Sequence, residues 1–313
     1  MSRKLITIST IMTLMSTSVI ADVPNVAADI APIHSLVSRV MDGVGAPKLI
    51  VQSGASPHGY RLRPSEAKAL QDADHVFWMG EELTPWLDSA IGTLASKASV
   101  TTLLNQQGVI LHDFREGALF EAHDHSAHGD DDHDDHDDHD DHDDHKDHDD
   151  HDDHDDHDDH KDHDDHDDHG SQDPHAWLSP ENAKLWLNII ASKLSVSDPE
   201  NAATYFMNAA VGQAEIEAMI AEVKATLKPV QGGKFVVFHD AYQYFENDFD
   251  FYASGAISLG DSSDPSPARI EKVQKRIRDE GIQCVLAEPQ FKKGLVDTVM
   301  EGSDATASVI DPL

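Results

Sequence analysis

From Asp131 to His169 the chain repeats a triplet 13 times, eleven times Asp-Asp-His and twice Lys-Asp-His, with no apolar side chain across those 39 positions. A period of three suits neither regular element: a helix smears it around its surface, and a strand alternates it between faces. Nothing in the run is worth burying, so nothing offsets the entropy of ordering it, and a disordered loop is expected. Whatever folds must fold on either side.

The wider tract from His123 to His169 spans 47 residues and holds 26 Asp, two Lys and 16 of the 22 His. Its formal charge is −24 out of a total of −36, which leaves −12 on the other 266 residues. Those residues are about 46% apolar, ordinary for a globular protein. One large or two medium domains are expected, and a fibrous, collagenous or wholly disordered chain is excluded. An acidic remainder beside an anionic insert makes nucleic acid an unsuitable partner, because phosphates need Lys and Arg. Cations are the natural partners.

The chain opens as an export signal does. Arg3 and Lys4 precede an apolar stretch from Leu5 to Ile20, and Val19-Ile20-Ala21 suits a signal peptidase cutting after Ala21. The stretch is about 16 residues, short of the roughly 20 that span a bilayer, so a soluble exported protein is expected. Cys284 is the single cysteine. It lies far from the cleavage site, so no lipoprotein anchor is expected, and no internal disulfide is possible in this sequence.

Both flanks alternate strand-like and helix-like segments. In the first, strands are read at Val26–Ile30, Leu49–Gln52 and His75–Met79, and helices at Ile33–Met41, Pro64–Gln71 and Leu83–Leu94. After the tract come two long helical stretches, Pro180–Leu194 and about Pro199–Lys228, the second opening on Asp198-Pro199-Glu200. Alternation resumes with strands at Lys234–Phe238, Phe251–Ile257, Gln283–Ala287 and Ser308–Ile310, and helices at Tyr242–Asn247, Ser266–Glu280 and Lys293–Glu301. Strands separated by helices imply parallel sheets. The reading is α/β: two parallel-sheet lobes joined by a long rigid helix, with the His/Asp-rich loop inserted. The boundaries are 1–21 signal peptide, 22–122 first lobe, 123–169 loop, 170–196 completion of the first lobe, 197–229 connecting helix and 230–313 second lobe.

In the tract an imidazole recurs at every third place, with carboxylates between, a donor set that suits Zn²⁺, Cu²⁺ or Ni²⁺. A solvated repeat grown by slippage is the bland alternative. Six histidines lie elsewhere. His58 follows a strand in Ser56-Pro57-His58-Gly59, His175 follows the tract in Asp173-Pro174-His175, and His239 ends the apolar run Phe235–Phe238. In open α/β sheets ligands gather at the carboxyl ends of strands. Each of the three, taken singly, is better explained as a structural hydrogen-bonder; together, in a two-lobed chain with a metal-avid insert, they form a candidate metal site. His75 and His112 are read as structural, and His34 as a residue that opens a helix near the cleft.

These segments carry a resemblance. Gly54-Ala55-Ser56-Pro57-His58, Leu62-Arg63-Pro64-Ser65, Asp173-Pro174-His175-Ala176-Trp177-Leu178-Ser179-Pro180, Phe238-His239-Asp240-Ala241-Tyr242, Ala287-Glu288-Pro289-Gln290-Phe291 and Asp311-Pro312-Leu313 occur in that order. From about Asn25 to Leu313 the sequence resembles the zinc-specific periplasmic binding proteins of ABC transporters (ZnuA type, cluster A-I metal receptors). The resemblance implies Zn²⁺ in a cleft between two lobes, held by His58, His175 and His239, with Asp311 at the position from which related receptors supply a carboxylate. It also implies a monomeric periplasmic receptor, not an enzyme, that delivers zinc to a membrane permease, with the tract as a weaker auxiliary binder. Neutral imidazole at 239 favours zinc over manganese.

Two departures stand out. Gly59 replaces a polar residue common after the first ligand, which puts the support of His58 in question. The family pattern continues past Asp-Pro-Leu into a final helix, often with a partner for the cysteine matching Cys284, so a second lobe incomplete at its end is expected. Three rivals remain: a metal store acting through the tract, a receptor for copper, nickel or manganese, and a zinc hydrolase. Three His with an open position is also a catalytic zinc arrangement, and Glu288 would be its base.

Overall fold

The computed structural model describes residues 23–115, 119, 172–258, 260 and 265–313. The expected signal peptide and the His/Asp tract lie outside the described residues.

Two four-stranded, all-parallel sheets form the frame. In the first, β1 (Val26–Ala28), β2 (Lys48–Leu49), β3 (His75–Trp78) and β4 (Ser99–Thr102) lie in the order β2-β1-β3-β4. In the second, β5 (Phe235–His239), β6 (Ala256–Ser258), β7 (Cys284–Ala287) and β8 (Thr306–Val309) lie in the order β6-β5-β7-β8. The first has helices α1 (Ala31–Val40), α2 (Pro64–Gln71) and α3 (Pro85–Leu94). The long helices α4 (Pro180–Ser197) and α5 (Ala202–Leu227) follow, then α6 (Gln243–Phe249), α7 (Pro267–Glu280) and α8 (Lys293–Met300) between the later strands. Among the described residues no helix is long and apolar enough to cross a membrane.

Period-two burial explains the strands. Ala28 and Phe77 enter one cluster, with Ile33, Val37 and Val40 of α1, while Ala27, Val76 and Trp78 enter another with Leu70, Leu87 and Ile91. Both faces of the sheet are therefore covered, as parallel sheets require. The second sheet divides likewise: Val236, Phe238 and Val285 face α7 and α8, and Phe235 and Val237 face the other way.

Two local expectations are corrected. Strand β4 was not anticipated, because of Ser99, Val100, Thr101 and Thr102 only Thr101 is buried; the segment is strand by backbone pairing to β3, with Val76 opposite Val100. Conversely, only the end of the stretch Phe251–Ile257 pairs. Asp250 takes a left-handed turn (φ 51°) and Phe251 N–H returns to Glu246 O, which closes α6, so pairing begins at Ala256.

Helix α5 has 26 residues, about 39 Å at 1.5 Å per residue. It starts later than its Asp198-Pro199 signal because the Asp198 carboxylate accepts from Asn201 Nδ2 (2.8 Å) and the Tyr205 hydroxyl (2.7 Å). Its Tyr205, Asn208, Ala209 and Gly212 are buried. A side chain at Gly212 would meet Leu187 of α4 at 3.0 Å and Arg39 of α1 at 3.1 Å, so glycine permits the close approach. Tyr244 of α6 is buried in the same cluster as α1, α4 and α5, so a second-lobe side chain completes the core of the first lobe.

Candidate metal-binding site

His58, His175 and His239 line one small cavity, with Trp177, Phe291 and Glu288 among its walls. Each is delivered by a different device. His239 is the last residue of β5, at the carboxyl end of a central strand. His175 precedes a single 3-10 turn, Ala176–Leu178, that leads into α4. His58 lies in the loop after β2.

The loop of His58 is pinned by its neighbours. Trp86 Nε1 donates to Pro57 O (2.7 Å), and the Tyr60 hydroxyl donates to the buried Glu66 carboxylate (2.7 Å), which also accepts the Arg63 N–H at the start of α2 (2.7 Å). Gly59 has open space where a side chain would go, so the loop's support passes through residues 57 and 60. His58 itself is half-buried.

The other two histidines are buried and braced by carboxylates. Asp173 Oδ1 lies 2.6 Å from His175 Nδ1 and 3.0 Å from its backbone nitrogen. Glu288 Oε1 lies 2.8 Å from His239 Nδ1. The second contact follows from register: Val237 pairs with Leu286, so two residues on His239 and Glu288 emerge side by side. An ionised carboxylate only accepts, so each Nδ1 carries the proton and each Nε2 presents its lone pair. Those two Nε2 atoms face one another at 3.4 Å. Two lone pairs converging without a proton repel, whereas a cation between them is attracted to both. At zinc–nitrogen distances of about 2.0–2.1 Å a tetrahedron has edges of about 3.3–3.4 Å, which matches the observed separation.

His58 approaches this pair less closely, with its ring centre 5.6 Å from that of His175, against 5.2 Å between His175 and His239. Among the described residues no three His, Cys, Asp or Glu form a closed ligand cluster. Asp311 is exposed, and its Oδ1 accepts from Gln290 Nε2 (2.8 Å) and Leu313 N–H (3.1 Å); Gln290 and Leu313 line the cavity, Asp311 does not. Trp177 and Phe291 stand 5.2 and 5.5 Å from the rings of His175 and His239, and Trp177 Nε1 donates to Pro312 O (2.7 Å) across the two lobes.

The remaining histidines have structural partners. His34 Nε2 lies 3.2 Å from Pro47 O and stays outside the cavity, His75 Nε2 lies 2.7 Å from Ser197 Oγ, and His112 Nε2 accepts from Asn247. Burial lowers the pKa of His75.

Sequence reasoning overlooked the braces. Asp173, two residues before His175, carries the signal of a local Asp-x-His pair; Glu288 enters the sequence reading as part of a resemblance motif and as the base of the rival hydrolase, not as a partner of His239. Arg115 gave no signal at all, yet its guanidinium bonds both Asp240, next to His239, and Glu246. Burial pushes both carboxyls up, and Arg115 pulls them down. Breaking such a buried set from one side costs about 3–5 kcal/mol.

A cavity between two parallel-sheet α/β lobes, lined by two braced imidazoles with a third beside them, is the arrangement of a two-lobed metal receptor. Residues 26–313 match the family of periplasmic zinc-uptake complex component A. The high-affinity zinc uptake system protein ZnuA of Brucella abortus is 48% identical, covering 92% of this chain and 83% of its own; that of Paracoccus denitrificans is 46% identical, covering 93% and 84%. A crystal structure of ZnuA aligns with a TM-score of 0.67 at 20% identity over 93% of this chain and 92% of the other. The AdcAII protein of Streptococcus pneumoniae aligns at 0.66 with 18% identity over 93% and 89%. The chain belongs to the ZnuA family of zinc-uptake components. It is a periplasmic zinc-binding receptor of an ABC transporter, with Zn²⁺ as its cargo and a permease as its partner, and not an enzyme.

Proposed function

We propose that Zn²⁺ is held by His58, His175 and His239 through their Nε2 atoms. The single observation that carries this is the pair of carboxylate-braced imidazoles whose lone pairs converge at a tetrahedral edge length. Asp311 supplies the fourth ligand, exchanging its bond to Gln290 for the metal; what supports this is that Gln290, its present partner, lines the cavity. Three neutral ligands bind zinc tightly, while one carboxylate from the exposed rim leaves a route for release. Glu288 is engaged by His239 Nδ1, so it serves the ligand and not a substrate.

The protein acts as a monomer, is exported as a cleaved, unlipidated chain, and uses residues 123–169 as an auxiliary, weaker zinc binder. The test is a zinc titration against a competing chelator of the full chain, of a chain lacking residues 123–169, and of the shortened chain with His58→Ala. One tight site is expected in the first two and none in the third. Loss of tight binding together with the tract would instead make the protein a metal store.

A further inference from the structure

The separation of the two braced imidazoles is set by parts of the chain that neither histidine controls. His175 rides on the strand of chain that leaves the tract, whereas His239 ends β5 in the second lobe. Residues 112–115 and 172–173, on the two sides of the tract, form one foot: Asp113 pairs with Gln172 in an antiparallel bridge, and Asp173 N–H donates to His112 O (2.8 Å). Asp173 then braces His175. Fixing the foot on the second lobe therefore fixes His175 relative to His239.

Among the described residues the fastenings come from α6 and from Asp240, one of them the Asn247 amide to His112 Nε2 (3.1 Å). The Tyr244 hydroxyl donates to Asp173 O (2.7 Å) and accepts from His112 N–H (3.0 Å). Gln243, its amide nitrogen turned toward them, donates to Asp173 Oδ2 (3.2 Å) and Asp113 O (3.1 Å). Arg115 supplies the charged fastening. Its Nε reaches both Asp240 oxygens (3.0 and 3.1 Å), Nη1 donates to Glu246 Oε2 (2.6 Å), and Nη2 spans Asp240 Oδ1 and Glu246 Oε1. Both carboxylates are nearly inaccessible, with side chains 4% and 1% exposed. A guanidinium from the foot that carries His175 thus grips the residue next to His239.

We propose that Arg115 is a positioning residue for the metal site, holding the foot of the tract on Asp240 and Glu246 and so setting the distance between the His175 and His239 imidazoles. The proposal rests on the reading of those two residues as ligands. Its geometry needs a planar fork: a lysine offers one charged point and cannot serve two carboxylates in this arrangement.

The experiment compares the full chain with Arg115→Gln, with Arg115→Lys, and with the triple variant Arg115→Gln, Asp240→Asn, Glu246→Gln, which buries no uncompensated charge. His175→Ala is the control for the site itself. Zinc affinity is measured against a competing chelator, and ring-nitrogen NMR shifts of His175 and His239 are read in the metal-free protein. Both Arg115 single variants and the triple variant are expected to bind zinc about tenfold more weakly, the lower end of the range for groups that orient a ligand, with the ring signals moving from a single Nδ1–H form to a mixture. If Arg115→Gln does not fold, the triple variant carries the comparison. Parental affinity and parental ring shifts in the triple variant, or in Arg115→Lys, would reduce Arg115 to charge balance and overturn the proposal. If His175→Ala keeps the tight site, the ligand reading is the one that fails.

Discussion

The two sheets share one strand order, yet the crevice beyond their strand ends is used in opposite ways. In the first lobe Asp29 follows β1, and its carboxylate accepts the N–H of Ile30 and of Met79, which follows β3, both at 2.8 Å. At the same strand ends the second lobe places His239, ending β5, and Glu288, following β7. Here the carboxylate takes the imidazole N–H at 2.8 Å beside a longer bond from the His239 backbone N–H at 3.5 Å, and the imidazole is left with a lone pair pointing outward. The Asp29 carboxylate is spent on backbone bonds; the Glu288 carboxylate orients an imidazole toward the cavity. The same strand ends in the same topology serve as scaffold or site according to whether a carboxylate meets backbone amides alone or an imidazole as well.

This contrast is open to direct attack. His239→Ala should have the largest effect, weakening zinc by more than the 10–100-fold typical of an outer partner, with little change in the melting temperature of the metal-free protein; calorimetric titration beside a thermal melt decides it. Glu288→Gln keeps a hydrogen-bond acceptor but loses the charge, and should cost about 10–100-fold in zinc affinity. An affinity within twofold of the parent would remove Glu288 from the site. Asp29→Ala reverses the pattern, leaving two buried N–H groups unsatisfied: stability should fall by about 1–3 kcal/mol in urea unfolding while zinc affinity is retained. A loss of zinc binding in that variant would mean the two crevices are not independent.

The last effect is on pH dependence. Burial pushes the Asp29 carboxyl from its ordinary 3.8 up to about 7, against the pull of Met79 and Ile30. A folded pKa above the unfolded one means the native state keeps a proton the unfolded chain has released. The contribution of this group is therefore complete below about pH 3.8 and is lost as pH rises through about 7. Between pH 5 and pH 8 the melting temperature of the parent should decline relative to Asp29→Asn; parallel curves would show that Asp29 releases no proton in this range.

The sequence made the three histidines visible because each follows a readable strand or stands beside the low-complexity tract. It made the lobes visible because buried parallel strands such as Phe235–Phe238 are continuous apolar runs. Strand β4 escaped because one buried threonine makes no pattern. The braces escaped for a different reason: Glu288 meets His239 across 49 positions and Arg115 meets Asp240 across 125, and neither pairing leaves a mark on local periodicity. Asp311 was placed by resemblance alone, and in the structure its carboxylate is occupied with Gln290 and Leu313.

Tyr244 carries a consequence of its own. By chain it belongs to the second lobe, by packing to the first, and its hydroxyl joins both sides of the tract's foot. The halves therefore cannot be traded like cassettes: a chimera that takes its second half from another receptor inherits a foreign residue at the heart of its first, and has to be matched there before it is matched anywhere near the metal.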